Sequence, residues 1–129
     1  MDSKAEMEQA EEYKGKMRIK APTMKQLALS LSGGNQQKVV IAKAMAGLPD
    51  ILVFDEPTRG IDVGARHEIY QMMIDLSQQG KSILMVSSDM EELLGMSERI
   101  VVLHEGKQAG ILNKDEFSQE TILTLASGL

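Results

Sequence analysis

The run Leu31-Ser32-Gly33-Gly34-Asn35-Gln36-Gln37-Lys38 sets a Ser-Gly-Gly turn directly ahead of an apolar helical stretch. The first backbone N–H groups of a helix lack internal partners, and the helix dipole adds partial positive charge beside them. A phosphate suits that position. Two glycines let a ligand come close to the backbone, and Ser32 adds a hydroxyl donor. A bare Ser-Gly-Gly is usually no more than a capped helix start; the full run from Leu31 to Gln37 is far more specific. Further on, the apolar run Ile51-Leu52-Val53-Phe54 ends in Asp55-Glu56-Pro57-Thr58. Carboxylates at the carboxyl end of a strand stand where α/β sheets bind ligands. Asp55 is suited to Mg²⁺ on nucleotide phosphates, through water. Glu56 is suited to align and deprotonate an attacking water. Alone, such a pair would equally be a solvated turn.

Other residues weigh less. Asp62, in Thr58-Arg59-Gly60-Ile61-Asp62-Val63-Gly64-Ala65, is expected to cap a helix starting at Val63, and it could also face a partner domain. Gly80-Lys81-Ser82 imitates the tail of a phosphate loop, but Asp75 stands where the first glycine is needed. It also ends a helix and opens a strand, the reverse of a phosphate loop. His67 reads as solvated and His104 as a turn residue beside Glu105.

Positioning these groups calls for alternating strands and helices. Residues 3–18 carry only a weak helical stripe (Ala5, Met7, Ala10, Tyr13), ended by Pro22, with a loop over 23–30. A helix is predicted from Asn35 to about Ala46, stopped by Gly47 and Pro49. Ile51 to Phe54 has the pattern of a strand buried on both faces. Ala65, Ile69, Met72 and Leu76 place a helix from Val63 to Gln79, stopped by Gly80. A second buried strand follows at Ser82 to Val86, then a short helix at Asp89 to Leu94. A third strand lies at Ile100 to Leu103; Gly106 turns the chain into a weaker one near Ala109 to Leu112, and a last helix runs from Ser118 to Ala126. The fold class is α/β, with a largely parallel sheet.

Composition narrows the function classes. At 129 residues, with 43% apolar and 26% charged residues, the chain is one ordinary domain with room for a core. A net charge of −5 and the lack of a basic run argue against a nucleic-acid footprint. Without cysteine there is no disulfide or thiolate metal site. No apolar stretch approaches the roughly 18 residues that span a bilayer, and the N-terminus lacks the apolar core of a signal peptide. Membrane association is therefore expected through a partner.

These motifs, in this order, resemble the ATP-binding subunit of bacterial ABC importers for monosaccharides of the ribose, galactose and xylose type. Leu31 to Val39 resembles the signature motif in its Gly-Asn-Gln-Gln-Lys form, Ile51 to Glu56 the Walker B strand, and Thr58 to Ala65 the D-loop. Ser87 to Leu93 resembles the switch region, and Met17 to Pro22 the lead-in from the helical subdomain. The resemblance implies a partial P-loop NTPase (ABC ATPase) fold, mostly parallel sheet flanked by helices, lacking the phosphate-loop portion. Residues 1–30 would be a remnant of the helical subdomain, and 31–129 the C-terminal part of a nucleotide-binding domain.

The resemblance further implies ATP and Mg²⁺ as cofactors of the full assembly. Ser32, Gly33, Gly34, Asn35 and Gln36 would serve ATP held across an interface by the phosphate loop of a second nucleotide-binding domain. Asp55 would hold the metal through water, Glu56 would be the general base, and Asp62 would be the D-loop residue. Ser88 stands at the switch position where a histidine is expected, which implies a degenerate site in this half. With Glu91 three residues on, Ser88 instead fits a capping box. Implied partners are membrane permease subunits and, indirectly, a periplasmic sugar-binding protein, with no nucleic acid. The implied location is peripheral, on the cytoplasmic face of the bacterial inner membrane.

Two alternatives stay open: a piece of a non-transport ABC ATPase (DNA repair or translation), and a catalytically inert interaction module. The absent phosphate loop leads to the expectation that the isolated chain neither binds ATP tightly nor hydrolyses it. Absence of the first strand would leave an apolar sheet edge, so self-association is expected.

Overall fold

The computed structural model describes residues 3–21, 24 and 31–129. The helix stop expected at Pro22 and most of the loop expected over 23–30 lie outside the described residues. The chain forms two compact units, one up to Val86 and one from Ser87 to Leu129.

In the first unit, α1 (Ser3–Lys16) buries no residue, as its weak stripe implied. It closes well before Pro22, because the chain turns back on itself at once. The Arg18 N–H donates to the Gly15 carbonyl and the Ile19 N–H to the Lys14 carbonyl. These paired bonds define a Schellman turn, whose left-handed position is usually glycine. Here Arg18 fills it, at φ 50°.

Helix α2 (Gly33–Met45) begins two residues earlier than predicted, with both glycines inside its first turn. Lys38, Ile41, Ala42 and Met45 are buried along one side, the i, i+3, i+4, i+7 stripe of a core-facing helix. Strand β1 (Ile51–Asp55) leads through the turn at 56–60 to α3 (Val63–Gln78), which buries Ile69, Met73 and Leu76. Gly80 at φ 90° ends α3 in a second Schellman turn, with the Lys81 N–H on the Leu76 carbonyl. Strand β2 (Ser82–Val86) then pairs parallel with β1, with Val53 opposite Leu84 and Asp55 opposite Val86.

Burial corrects the reading of both strands. Leu52 and Phe54 are buried, whereas Ile51 and Val53 are 68% and 64% exposed. The β1–β2 ladder thus has one covered face, and the other carries Ile51, Val53, Leu84 and Val86 in solvent contact. A continuous apolar run identifies a strand; which faces are covered depends on what packs over them.

In the second unit, α4 (Met90–Met96) continues through Gly95. Strands β3 (Arg99–His104) and β4 (Lys107–Asn113) then form an antiparallel hairpin, with an irregularity between Val102 and Leu103. Glu105 at φ 46° and Gly106 at φ 75° make the tight turn. Two positive-φ residues match the right-handed strand twist and impose antiparallel pairing. The parallel character expected of the sheet therefore belongs to β1–β2. A short 3₁₀ turn at Lys114–Glu116, which the sequence reading did not include, leads to α5 (Gln119–Ala126), capped by Ser118. Ile100, Val102, Leu112 and Ile122 form the core of this unit, with Met90, Leu93, Leu94, Phe117 and Leu125 against it.

Candidate functional site

The helix start at Ser32 is built as its residue types require. The Ser32 hydroxyl oxygen accepts from the Asn35 backbone N–H at 3.4 Å and from the Asn35 side-chain amide at 2.8 Å. That oxygen caps the helix, an arrangement in which the hydroxyl hydrogen can be given to an anion. The first bond of the helical ladder runs from the Gln36 N–H to the Ser32 carbonyl, at 2.8 Å. The N–H groups of Gly33 and Gly34 precede it, at the positive end of a 13-residue helix. Ser32 and Gly33 are exposed, Asn35 and Gln36 half-buried. Asn35 also accepts from the Lys20 N–H at 2.9 Å, and Gln36 donates to the Leu31 carbonyl at 2.9 Å. The turn is thus held by its own side chains.

The structure brings this turn against the segment 60–65. A Cβ added to Gly33 would lie 3.9 Å from the Gly60 carbonyl oxygen, and one added to Gly34 would strike the Ala65 Cβ. Asp62 caps α3 by accepting the Ala65 N–H at 3.0 Å, as its place before Val63 predicted. Ile61, Pro57 and Thr58 are buried beneath, and the Ile61 N–H closes onto the Thr58 carbonyl at 3.1 Å.

Asp55 ends β1 and is exposed. Glu56 follows in the left-handed region at φ 48°, while its N–H continues the ladder to the Val86 carbonyl at 2.8 Å. A non-glycine residue there carries a backbone cost of about 1–3 kcal/mol, of the kind that gathers at functional sites. Among the described residues, no three His, Cys, Asp or Glu side chains converge to hold a metal. Asp55 offers a single hard oxygen donor at a strand end. That fits Mg²⁺ held mainly by phosphates and water, the usual way this ion is bound with nucleotides.

Ser88 is exposed in the second unit, and the capping box expected of it with Glu91 does not form. The cap lies one residue on. Asp89 accepts the Glu92 N–H at 3.1 Å, and the Ser87 hydroxyl donates to the buried Glu92 carboxylate while accepting the Asp89 N–H. Burial of Leu93 and Leu94 against the hairpin core sets the rotation of α4, and that phase puts Asp89 at the cap. Of the histidines, His67 meets Tyr70 edge-on at 6.3 Å, and the His104 Nδ1 lies 2.8 Å from the Ala126 carbonyl.

Sequence reasoning assigned no role to Lys38. Its side chain is 3% exposed, and its ammonium donates to the Arg18 carbonyl at 3.2 Å and pairs with the Glu68 carboxylate. The available signal was a lysine on the apolar stripe of α2, in phase with Ile41, Ala42 and Met45.

A family model described as ABC transporter matches residues 2–59. The chain is 50% identical, over all 129 residues, to the ribose import ATP-binding protein RbsA of Clostridium perfringens, covering 26% of that protein. It is 48% identical over 128 residues to the xylose import ATP-binding protein XylG of Geobacillus kaustophilus, covering 24% of it. The chain thus spans about a quarter of the length of these curated relatives. Among solved structures, it superposes on the ATP-binding cassette MJ0796 bound to ADP and Pi with a TM-score of 0.76 and 27% identity. That match covers 91% of this chain and 50% of the other. A metal-chelate type ABC transporter, at 20% identity, shares the fold with a TM-score of 0.84 over 100% of this chain and 51% of its own.

Proposed function

We propose that this chain, which is similar to ABC transporter ATP-binding proteins, is part of the ATP-hydrolysing subunit of a monosaccharide importer. The observation that carries the reading is the Ser32-capped start of α2, with two exposed or closely packed glycines set against the 60–65 segment. In this reading Ser32, Gly33, Gly34, Asn35 and Gln36 face the terminal phosphates of ATP whose phosphate loop lies on a second nucleotide-binding domain. The N–H groups and the Ser32 hydroxyl are fixed in advance, so they stabilise charge developing on the transferred phosphoryl group without reorganising.

Asp55 would hold Mg²⁺ through water, and that ion would neutralise phosphate charge. Glu56 would orient and deprotonate the attacking water. Asp62 caps α3 and faces the partner domain. Ser88, in place of the switch histidine, offers no imidazole to the γ-phosphate, so the site on this half would turn over slowly. Permease subunits would receive the resulting motion, a periplasmic sugar-binding protein would deliver the sugar, and the subunit would sit on the cytoplasmic face of the membrane.

The test is Ser32→Arg in the ATP-binding subunit assembled with its permease. The expected outcome is a loss of sugar-stimulated ATP hydrolysis by a factor of about 10²–10³, with uptake lost in parallel. Unchanged uptake and hydrolysis would overturn the reading. Tight nucleic-acid binding with a steep salt slope would favour a non-transport ATPase instead. This sequence carries no G-x-x-x-x-G-K-[ST], so the 129-residue chain alone is expected not to bind Mg-ATP at micromolar concentration.

A further inference from the structure

The buried ammonium of Lys38 sits where three elements meet. It lies one helical turn beyond Gly34 on α2, pairs with Glu68 on α3, and donates to the Arg18 carbonyl after α1. Arg18 is held in the left-handed region, so backbone strain is accepted at the residue whose carbonyl meets this lysine. One turn away, Gly34 packs on Ala65, in the same helix as Glu68. Two contacts at adjacent levels, one steric and one ionic, fix α2 on α3 in both distance and rotation. The Lys20 N–H on Asn35 adds a third tie, from the segment after α1 to the phosphate-facing turn.

Only the lysine side of this pair is buried: Glu68 is half exposed, so its carboxylate stays solvated when the lysine is replaced, and a methionine fills the volume of the buried lysine stem. What an ammonium supplies, and a methionine cannot, is three directed N–H donors that tie separate elements in one geometry.

We propose that Lys38 is a positioning residue: it locks the Ser32–Gly34 turn, the Asp62 cap and the turn after α1 into one body, so that a displacement of any one carries the others. The link to catalysis rests on the reading of the Ser32 turn given above; the mechanical link does not.

The experiment compares Lys38→Met, Lys38→Arg and Glu68→Gln. In the 129-residue chain, amide hydrogen exchange at the hydrogen-bonded N–H groups of Asn35, Gln36, Ala65 and Arg66 is expected to quicken at least tenfold in Lys38→Met, with the melting temperature within a few degrees of wild type. Glu68→Gln, at a half-exposed side chain, is expected to shift exchange in the same direction and keeps the test open if Lys38→Met fails to fold. In the assembled ATP-binding subunit and permease, Lys38→Met is expected to lower kcat for ATP about tenfold with KM within twofold. Lys38→Arg, which keeps directed donors, should restore at least half of kcat.

Unchanged exchange at these N–H groups in Lys38→Met and Glu68→Gln overturns the proposal. So does equal loss of melting temperature and kcat in Lys38→Met and Lys38→Arg, which would make Lys38 a packing residue only. If the wild-type assembly hydrolyses no ATP, the functional reading fails while the exchange data still decide the role of Lys38.

Discussion

Gly34 and Ala65 touch across the α2–α3 interface so closely that a methyl group on Gly34 would stand 2.6 Å from the Ala65 Cβ. Neither residue has a flexible end that could move aside, so the helices themselves would have to part. Gly34→Ala gains up to about 1 kcal/mol of helix propensity but loses about 1–3 kcal/mol to overpacking. The expected net result is a destabilised chain and a displaced Ser32 turn. Gly34→Ala combined with Ala65→Gly should recover most of that loss in denaturant unfolding, because the volume is then conserved.

Arg18 supplies a second prediction, from backbone geometry rather than contact. At φ 50°, in the position of a Schellman turn that glycine favours, its Cβ is a steric burden. Arg18→Gly is expected to stabilise the first unit by about 0.5–1 kcal/mol, and β-branched Arg18→Val to destabilise it by more than about 1 kcal/mol. Chemical denaturation of the two variants checks the sign. The Arg18 carbonyl that meets Lys38 is unchanged in both.

The cap of α4 distinguishes two neighbours. Asp89→Ala removes the acceptor of the Glu92 N–H and should cost about 1 kcal/mol. Ser88→Ala, at an exposed residue, should stay within about 0.5 kcal/mol. Thermal unfolding that ranked them the other way would restore Ser88 to the capping role.

Acid should weaken the Lys38–Glu68 link in a defined window. The hydrogen bond from Lys38 holds the Glu68 carboxyl below its ordinary value of 4.5, with the charges of Lys38, Lys20 and Arg18 adding to it and partial burial opposing. The unfolded chain therefore takes up this proton first as pH falls. The stabilisation is complete above about pH 5 and is lost as pH drops through the lower folded value. Glu68 is half exposed, so solvent screening keeps the pH-dependent part under about 1 kcal/mol. The difference in unfolding free energy between wild type and Glu68→Gln should be flat above pH 5 and shrink below pH 4.5.

Local chemistry was legible wherever one residue type satisfies a local backbone need. Asp62 before Val63, Gly80 after α3 and Gly106 in the hairpin each act where the residue order placed them, because caps and positive-φ turns are decided within four or five residues. Residues that answer to distant neighbours were less legible. Asp89 takes the cap in place of Ser88 because Leu93 and Leu94 seek the hairpin core. Ile51 and Val53 lie in solvent although their run matches a fully buried strand. Arg18 occupies a glycine position without any local sign of it.

By itself the sequence determined the alternation of strands and helices, the Ser-Gly-Gly helix start, the carboxylates at the end of β1 and the cap at Asp62. All of these rest on periodicity or on bonds between near neighbours along the chain. Only the tertiary structure decided which strand faces are covered, that Gly34 must be small because Ala65 lies against it, and that Lys38 reaches Glu68 and the Arg18 carbonyl. Those contacts join residues 20 to 31 positions apart, and no local preference encodes which partners the packed chain will bring together.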